Sequence, residues 1–264
     1  MIPQSFIDAW RAHAPWTNDL QVEQDLVVSR AIAELFNDEE IRGLAAMRGG
    51  TILNKFYFGG GSRYSEDIDL VKIAGGKAGP LFDIIRTKLD PWLGKPKREI
   101  SKRSIKLFYR FSAEADPLVP MRLKIEVNTV ETFSVLGYKD LPFQIDSDWF
   151  STTVRVRTFD LSELLGTKLR ALYQRRKGRD LFDLWYALSN CDTTPQNIVQ
   201  CFLKYMQHSN QKIGRQDLIR NLEEKLSDRR FLSDTTPLIR SGLDYNPERA
   251  YDAVLKELIL LVPE

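Results

Sequence analysis

Residues 121–130 read Met-Arg-Leu-Lys-Ile-Glu-Val-Asn-Thr-Val, alternating apolar and polar from the first position to the eighth. A period of two is the signature of a strand with one buried face and one polar face. Met121, Leu123, Ile125 and Val127 would face a core, and Arg122, Lys124, Glu126 and Asn128 the opposite side. Such a strand commits the chain to a sheet with covering elements behind it. A chain of 264 residues is long enough for one large domain or two modest ones.

Other segments supply the rest of an α+β fold. Residues 105–111 and 152–158 read as further strands. Residues 4–13 read as a helix ended by Ala14-Pro15, and Thr17 as the N-cap of a second helix reaching Phe36. A helix is expected from Thr51 to Phe58, after Gly49-Gly50, and another from Pro80 to Asp90, stopped by Pro91. Beyond residue 160 the pattern turns helical, over about 161–175, 180–189, 195–207, 215–226 and 247–261. The expected organisation is a mixed α/β core over 1–159 and a helical domain over 160–264.

Chemistry concentrates in Ser62–Leu70, behind the glycines at 59–61. Asp67 and Asp69 flank Ile68, so on a strand both carboxylates face one way. Two carboxylates so placed repel unless a cation lies between them. Oxygen-rich sites of this kind suit Mg²⁺ shared with substrate phosphates. Glu126, on the polar face of its own strand, would complete a three-carboxylate set able to hold two ions for in-line displacement at phosphorus. Gly49-Gly50-Thr51 ahead of a helix would present backbone N–H groups to phosphate, with Thr51 adding a donor or serving as the cap. Downstream, Lys168, Arg170, Arg175, Arg176, Lys177 and Arg179 concentrate positive charge before Asp180 and Asp183. Lys168 would neutralise charge on transferred phosphates, and the arginines would hold a triphosphate or a nucleic-acid backbone.

Each feature also has a plainer reading. A D-x-D pair is often two surface acids, and Glu126 could face solvent on a one-sided strand. Ser65 could bond only locally. Asp180 could be a helix N-cap, and Lys168 a surface lysine. Neither His13 nor His208 has a role, and no serine or cysteine stands in a nucleophile motif. A net charge of +2 names no partner, so a nucleic-acid surface would have to be local. Cys191 and Cys201 make no metal spacing or disulfide framework. With no signal-like N-terminus and no membrane-length apolar run, a cytoplasmic setting is expected.

Arg-Gly-Gly-Thr at 48–51, Arg-Tyr-Ser-Glu-Asp-Ile-Asp-Leu at 63–70, and Lys168 followed by Arg179-Asp180-Leu-Phe-Asp-Leu together resemble the AbiEii/AbiGii toxin family. The resemblance covers roughly residues 45–190. It implies a polymerase-β-like nucleotidyltransferase core, a mixed sheet flanked by helices, with a C-terminal helical domain. Asp67 and Asp69 match the metal-binding pair, with Glu126 as third ligand. Gly49, Gly50 and Thr51 match the phosphate-side motif, joined by Arg179 on the nucleotide. Ser65, Lys168 and Asp180 match the remaining site positions. The glycine motif stands farther from the aspartates than in polymerases generally, as it does in this toxin family.

The resemblance implies an enzyme that uses an NTP and two Mg²⁺ ions to transfer NMP to an RNA, a tRNA 3′ end foremost. It also implies a cognate antitoxin and no membrane. Two alternatives stand beside it: transfer to a protein or small-molecule hydroxyl, and a non-catalytic nucleotide-binding protein on the same scaffold.

Overall fold

In the computed structural model, residues 2–114 and 119–264 are described. They form two compact units: Met1–Phe56, Tyr64–Phe133 and Tyr138–Phe159 in the first, and Tyr57–Arg63, Ser134–Gly137 and Asp160–Glu264 in the second.

The first unit opens with α1 (Gln4–Trp10), α2 (Asp19–Phe36) and α3 (Glu39–Leu44), followed by β1 (Ala45–Arg48) and a single turn, α4 (Gly49–Ile52). Then come β2 (Asp67–Lys72), α5 (Gly79–Leu93), β3 (Lys97–Ile100), β4 (Ser104–Ser112), β5 (Pro120–Asn128), β6 (Tyr138–Ser147) and β7 (Phe150–Phe159). The strands make one seven-stranded sheet in the order β3-β4-β5-β2-β1-β7-β6. Its β2–β5 and β1–β7 pairs are parallel and the others antiparallel. The fold is therefore a mixed sheet with flanking helices, an α+β architecture.

The alternation at 121–128 settles which face is covered. Leu123, Ile125 and Val127 are fully buried, as are Ile68 and Leu70 of β2 and Leu107 and Tyr109 of β4. The Tyr109 hydroxyl donates to Asp90 of α5 at 2.9 Å, so this is the helix-covered side. Helix α2 is buried along most of its length. Inside it Asp25 accepts from the Trp10 indole at 2.9 Å and from Lys55 Nζ at 2.8 Å, which balances its buried charge. The opposite sheet face carries the polar residues of β2, β4 and β5.

Several expected boundaries move. The second helix is capped by Asn18, whose side chain accepts from the Leu20 N–H, and not by Thr17. The first helix ends at Trp10, followed by a turn. Pro91 does not stop α5, which runs on to Leu93 before Gly94 at φ +74° ends it. Leu89 and Leu93 are both buried one turn apart, and that shared burial draws the helix past the proline. Thr51 caps nothing, because α4 starts at Gly49 and continues as a π-helical turn, Leu53–Tyr57.

The second unit holds α6 (Leu161–Gln174), α7 (Gly178–Asn190), α8 (Pro195–His208), α9 (Arg215–Leu226), α10 (Arg229–Ser233) and α11 (Pro247–Glu257). The expected helix over 247–261 is α11 plus a 3₁₀ turn at Ile259–Leu261. Asp160 caps α6 through the Ser162 N–H. At Gly166 a Cβ would stand 2.7 Å from Cys201 Cβ and 2.8 Å from the Ile198 carbonyl, so the missing side chain lets α6 and α8 close up. Glu163 is fully buried and ties the 134–137 segment to α6, accepting from the Val135 and Leu136 N–H groups at 2.8 Å each. Among the described residues no helix is long and apolar enough to cross a membrane.

Candidate active site

Strands β2 and β5 are parallel neighbours, with Asp67 opposite Lys124 and Asp69 opposite Glu126. This register brings Asp67, Asp69 and Glu126 onto the open sheet face, as strand alternation requires. Lys124 sits among them, its Nζ 2.8 Å from Asp67 Oδ2 and 3.5 Å from Glu126 Oε2. Ser104 of β4 donates to Glu126 Oε1 at 2.8 Å, and Lys106 Nζ lies 3.6 Å from Oε2.

The electrostatics follow from crowding. Burial pushes the Asp69 carboxyl up, with Asp67 and Glu126 adding to the effect and Lys124 and Arg48 opposing it. For Glu126 burial works upward but is outweighed by the Ser104 hydroxyl, Lys124 and Lys106, so this carboxyl sits below its ordinary range. Burial works to lower the Lys124 ammonium. The hydrogen bond and charge of Asp67, with Asp69 and Glu126, outweigh it and raise the group. Two lysines, Lys124 between the strands and Lys106 beside Glu126, thus face three carboxylates, and negative charge is left in excess.

Gly49 explains why a glycine precedes α4. Its φ is +88°, and a Cβ there would collide with Asp69 Oδ2. The backbone therefore lies against the carboxylate as no other residue allows. Thr51 and Ser65 brace the same corner. The Thr51 hydroxyl donates to the Asp67 carbonyl at 2.5 Å, and the Ser65 hydroxyl lies 2.8 Å from Thr51 Oγ1. With its one proton used, Thr51 accepts from Ser65. Both hydroxyls thereby hold the start of β2 in place. Asn128, on the same strand face, is turned to local work, its side chain accepting from the Val130 and Glu131 N–H groups.

The donor set suits a hard divalent ion, because it consists of carboxylate oxygens. Among the described residues no three His, Cys, Asp or Glu side chains form a ready cage, since Asp67 and Glu126 reach to Lys124. Mg²⁺ normally binds through one or two carboxylates and completes its shell with water and substrate phosphate. Asp67, Asp69 and Glu126 fit that pattern.

Lys168, Asp180 and Arg179 belong to the second unit. Lys168 Nζ lies 3.2 Å from Asp180 Oδ1 and 2.7 Å from Asp183 Oδ2. Arg175 grips Asp180 at 2.6 and 2.7 Å, and Arg63 grips Asp183 through two bonds of 2.6 and 2.7 Å. Both carboxylates are fully buried. Burial would raise Asp180, but Lys168 and Arg175 overcome it and bring the carboxyl down to about 2. Burial of Asp183 is likewise outweighed, by Arg63 and Lys168. Arg179 pairs with Asp234, through its backbone N–H at 3.2 Å and its side chain at 3.7 Å. At Gly178 a Cβ would collide with the Phe231 carbonyl, which accounts for the glycine opening α7.

Two participants carry little signal in the sequence. Arg63 is the partner of Asp183, 120 positions away, and only the rule that a buried guanidinium needs a buried acid hints at it. Glu131 is a buried acid held by Arg48 at 2.7 Å and Arg103 at 3.2 Å, and it anchors the end of β1.

The chain matches the family model described as nucleotidyl transferase AbiEii toxin, type IV toxin–antitoxin system, over residues 30–257. No curated protein sequence matches it. Among solved structures it is similar to a putative nucleotidyltransferase from H. pylori, with 15% identity and a TM-score of 0.57, covering 92% of this chain and 95% of that one. It is also similar to the nucleotidyltransferase toxin MenT4 from Mycobacterium tuberculosis, with 13% identity, a TM-score of 0.54 and full coverage of both chains. At these identities the two likenesses show a shared fold. The family match extends over most of the chain, which belongs to the AbiEii family of nucleotidyltransferase toxins from type IV toxin–antitoxin systems.

Proposed function

We propose that this nucleotidyltransferase is Mg²⁺-dependent and transfers NMP from an NTP to a 3′ hydroxyl of RNA, with a tRNA end as the foremost acceptor. The observation that carries the reading is the register of β2 and β5, which puts Asp67, Asp69 and Glu126 on one open face with Lys124 between them. Family membership supports a nucleotide substrate and a cognate antitoxin.

Asp67, Asp69 and Glu126 would hold the divalent ions, two in the full arrangement, which when bound polarise the α-phosphate and the attacking hydroxyl. The chain's own groups do the rest. Lys124 offsets carboxylate charge in the free enzyme and is placed to meet the triphosphate when substrate enters. Gly49 keeps space beside Asp69, and the Gly49–Thr51 turn offers backbone N–H groups to phosphate. Thr51 and Ser65 fix the strand start that aims Asp67. Of the second unit's residues, the part-exposed Arg179 takes the phosphate role in this reading, while Lys168 and Asp180, buried against each other and Asp183, hold the start of α7 that carries it. The acceptor hydroxyl attacks the α-phosphorus and gives up its proton to solvent, the bond to the β-phosphate oxygen breaks, and pyrophosphate leaves with that electron pair.

The test is transfer of label from each α-³²P NTP to total bacterial RNA with Mg²⁺, comparing wild type with Asp67→Ala. Labelled RNA that disappears in the variant is expected. Label found in protein or small molecules, with none in RNA, would overturn the acceptor assignment. Equal labelling by the variant would overturn the site.

A further inference from the structure

The open sheet face does not end at the carboxylates. Moving along β4 and β5 away from Glu126, the cross-strand pairs on this face are Lys106 with Glu126, Phe108 with Lys124, and Arg110 with Arg122. The first pair is a salt bridge at 3.6 Å, and in the second Lys124 turns to Asp67. The third pair is different in kind, with two arginines directly opposite each other. Like charges in that position destabilise a sheet. Both side chains are exposed, and among the described residues neither guanidinium has an acid partner. Arg122 instead lies 5.7 Å from the centre of the Phe108 ring, which is itself half-exposed. On the next strand, at the sheet edge, Lys97 stands opposite Phe108, 61% exposed and paired with Glu99 at 2.8 Å, so it adds no unmet charge to the strip.

Apart from the contact of Arg122 with Phe108, opposing Arg110 and Arg122 works against the sheet, but a bound anion turns the repulsion into a chelate. Two guanidiniums on one face suit a phosphodiester, to which arginine presents paired N–H donors. An aromatic ring beside them offers a stacking surface that any base can use. At about 3.4 Å per residue, Arg122 lies roughly 7 Å along the strand from Lys124 and the Asp67 row. That is a short step back along a chain whose 3′ hydroxyl sits at the carboxylates.

We infer that Arg110, Arg122 and Phe108 form an acceptor track that holds the backbone and one base of single-stranded RNA entering the site. The inference rests on the RNA-acceptor reading above and adds the residues that select such an acceptor. A ring between cations favours nucleic acid over an acidic protein segment, which would use the arginines and leave the ring idle.

The experiment compares wild type, Arg110→Gln/Arg122→Gln and Phe108→Leu. Binding of a fluorescein-labelled single-stranded ten-nucleotide RNA is followed by anisotropy across salt concentrations. KM for RNA and for NTP are measured in the labelling reaction. For the arginine variant, RNA Kd and KM should rise tenfold or more, with KM for NTP unchanged. Its slope of log K against log salt should fall by roughly 1.4, two phosphate contacts at about 0.7 each. Phe108→Leu should weaken RNA about fivefold or more with the slope unchanged. The arginine variant should melt at or above the wild-type temperature, and a lower value would make the pair structural and overturn the track. If wild type labels RNA while the arginine variant keeps its KM and salt slope, the track is wrong and the RNA reading stands. If wild type labels protein or a small molecule instead, both fall together.

Discussion

Two groups of charged side chains in this molecule are built from nearly the same parts and end in opposite states. On the open sheet face, Asp67, Asp69 and Glu126 are met by two lysines, Lys124 and Lys106, and remain short of positive charge, partly open to water. In the helical unit, Asp180 and Asp183 are met by Lys168, Arg63 and Arg175 and closed off from water. The ratio of cations to carboxylates, together with access to solvent, separates a place that can take up a cation from one that already has what it needs. Carboxylates alone do not mark a metal centre, and their unmet charge is the better sign.

The largest effect is expected at Asp69. Asp69→Asn should reduce nucleotide transfer at least about a thousandfold, roughly 4 kcal/mol of barrier. Mg²⁺ should raise the melting temperature of wild type and not of this variant. If Mg²⁺ has no effect on either, the sheet face is not the cation site. Next comes Arg63→Met in the closed network. A buried carboxylate that loses its bidentate partner costs about 3–5 kcal/mol, read as a lower midpoint in urea. A loss under about 1 kcal/mol would mean that Asp183 is satisfied without it.

Acid should also separate the two groups. Asp180 titrates at about 2 in the fold against about 4 for a free aspartate, so its contribution is fully present above pH 4 and is lost as pH falls through 2. The effect is roughly 2 kcal/mol at neutral pH, with Asp183 shifted in the same direction. Stability curves from pH 5 down to 2 should fall less steeply for Asp180→Asn than for wild type. The smallest effect is expected at the brace. Ser65→Ala removes one hydrogen bond, worth about 1 kcal/mol in stability, with transfer falling only a few-fold through Asp67. A loss comparable to that of Asp69→Asn would make Ser65 a direct participant.

Local patterns were readable in the sequence wherever one residue's neighbours decide its fate. The alternation over 121–128 told which side chains face the core, and the Asp67-Ile68-Asp69 spacing told that both carboxylates share a face. What stayed hidden depended on distant partners. The short strand Ala45–Arg48 exists because β2 and β7 flank it, and four residues carry too little pattern to show that. Strand β3 is exposed throughout and has no apolar face to betray it. Strand β6 contains Pro142, which argues against a central strand but is tolerated at the sheet edge where β6 lies. The place of Glu126 beside Asp69 required the register of a parallel pair, and Arg63 with Asp183 required a contact across 120 positions. Thr51 looked like a helix cap because the sequence cannot show that Gly49 already adopts a backbone only glycine holds comfortably.

The strand that carries both aspartates sits between β1, which precedes it, and β5, which the ribosome makes some fifty residues later. A growing chain that has not passed Asn128 holds Asp67 and Asp69 but has neither Glu126 nor the pairing edge that orders β2 on that side. Truncated or stalled products cut before that point cannot carry the full carboxylate set. The carboxylate face is thus a late product of synthesis, ordered only once the strand that supplies its third acid has been made.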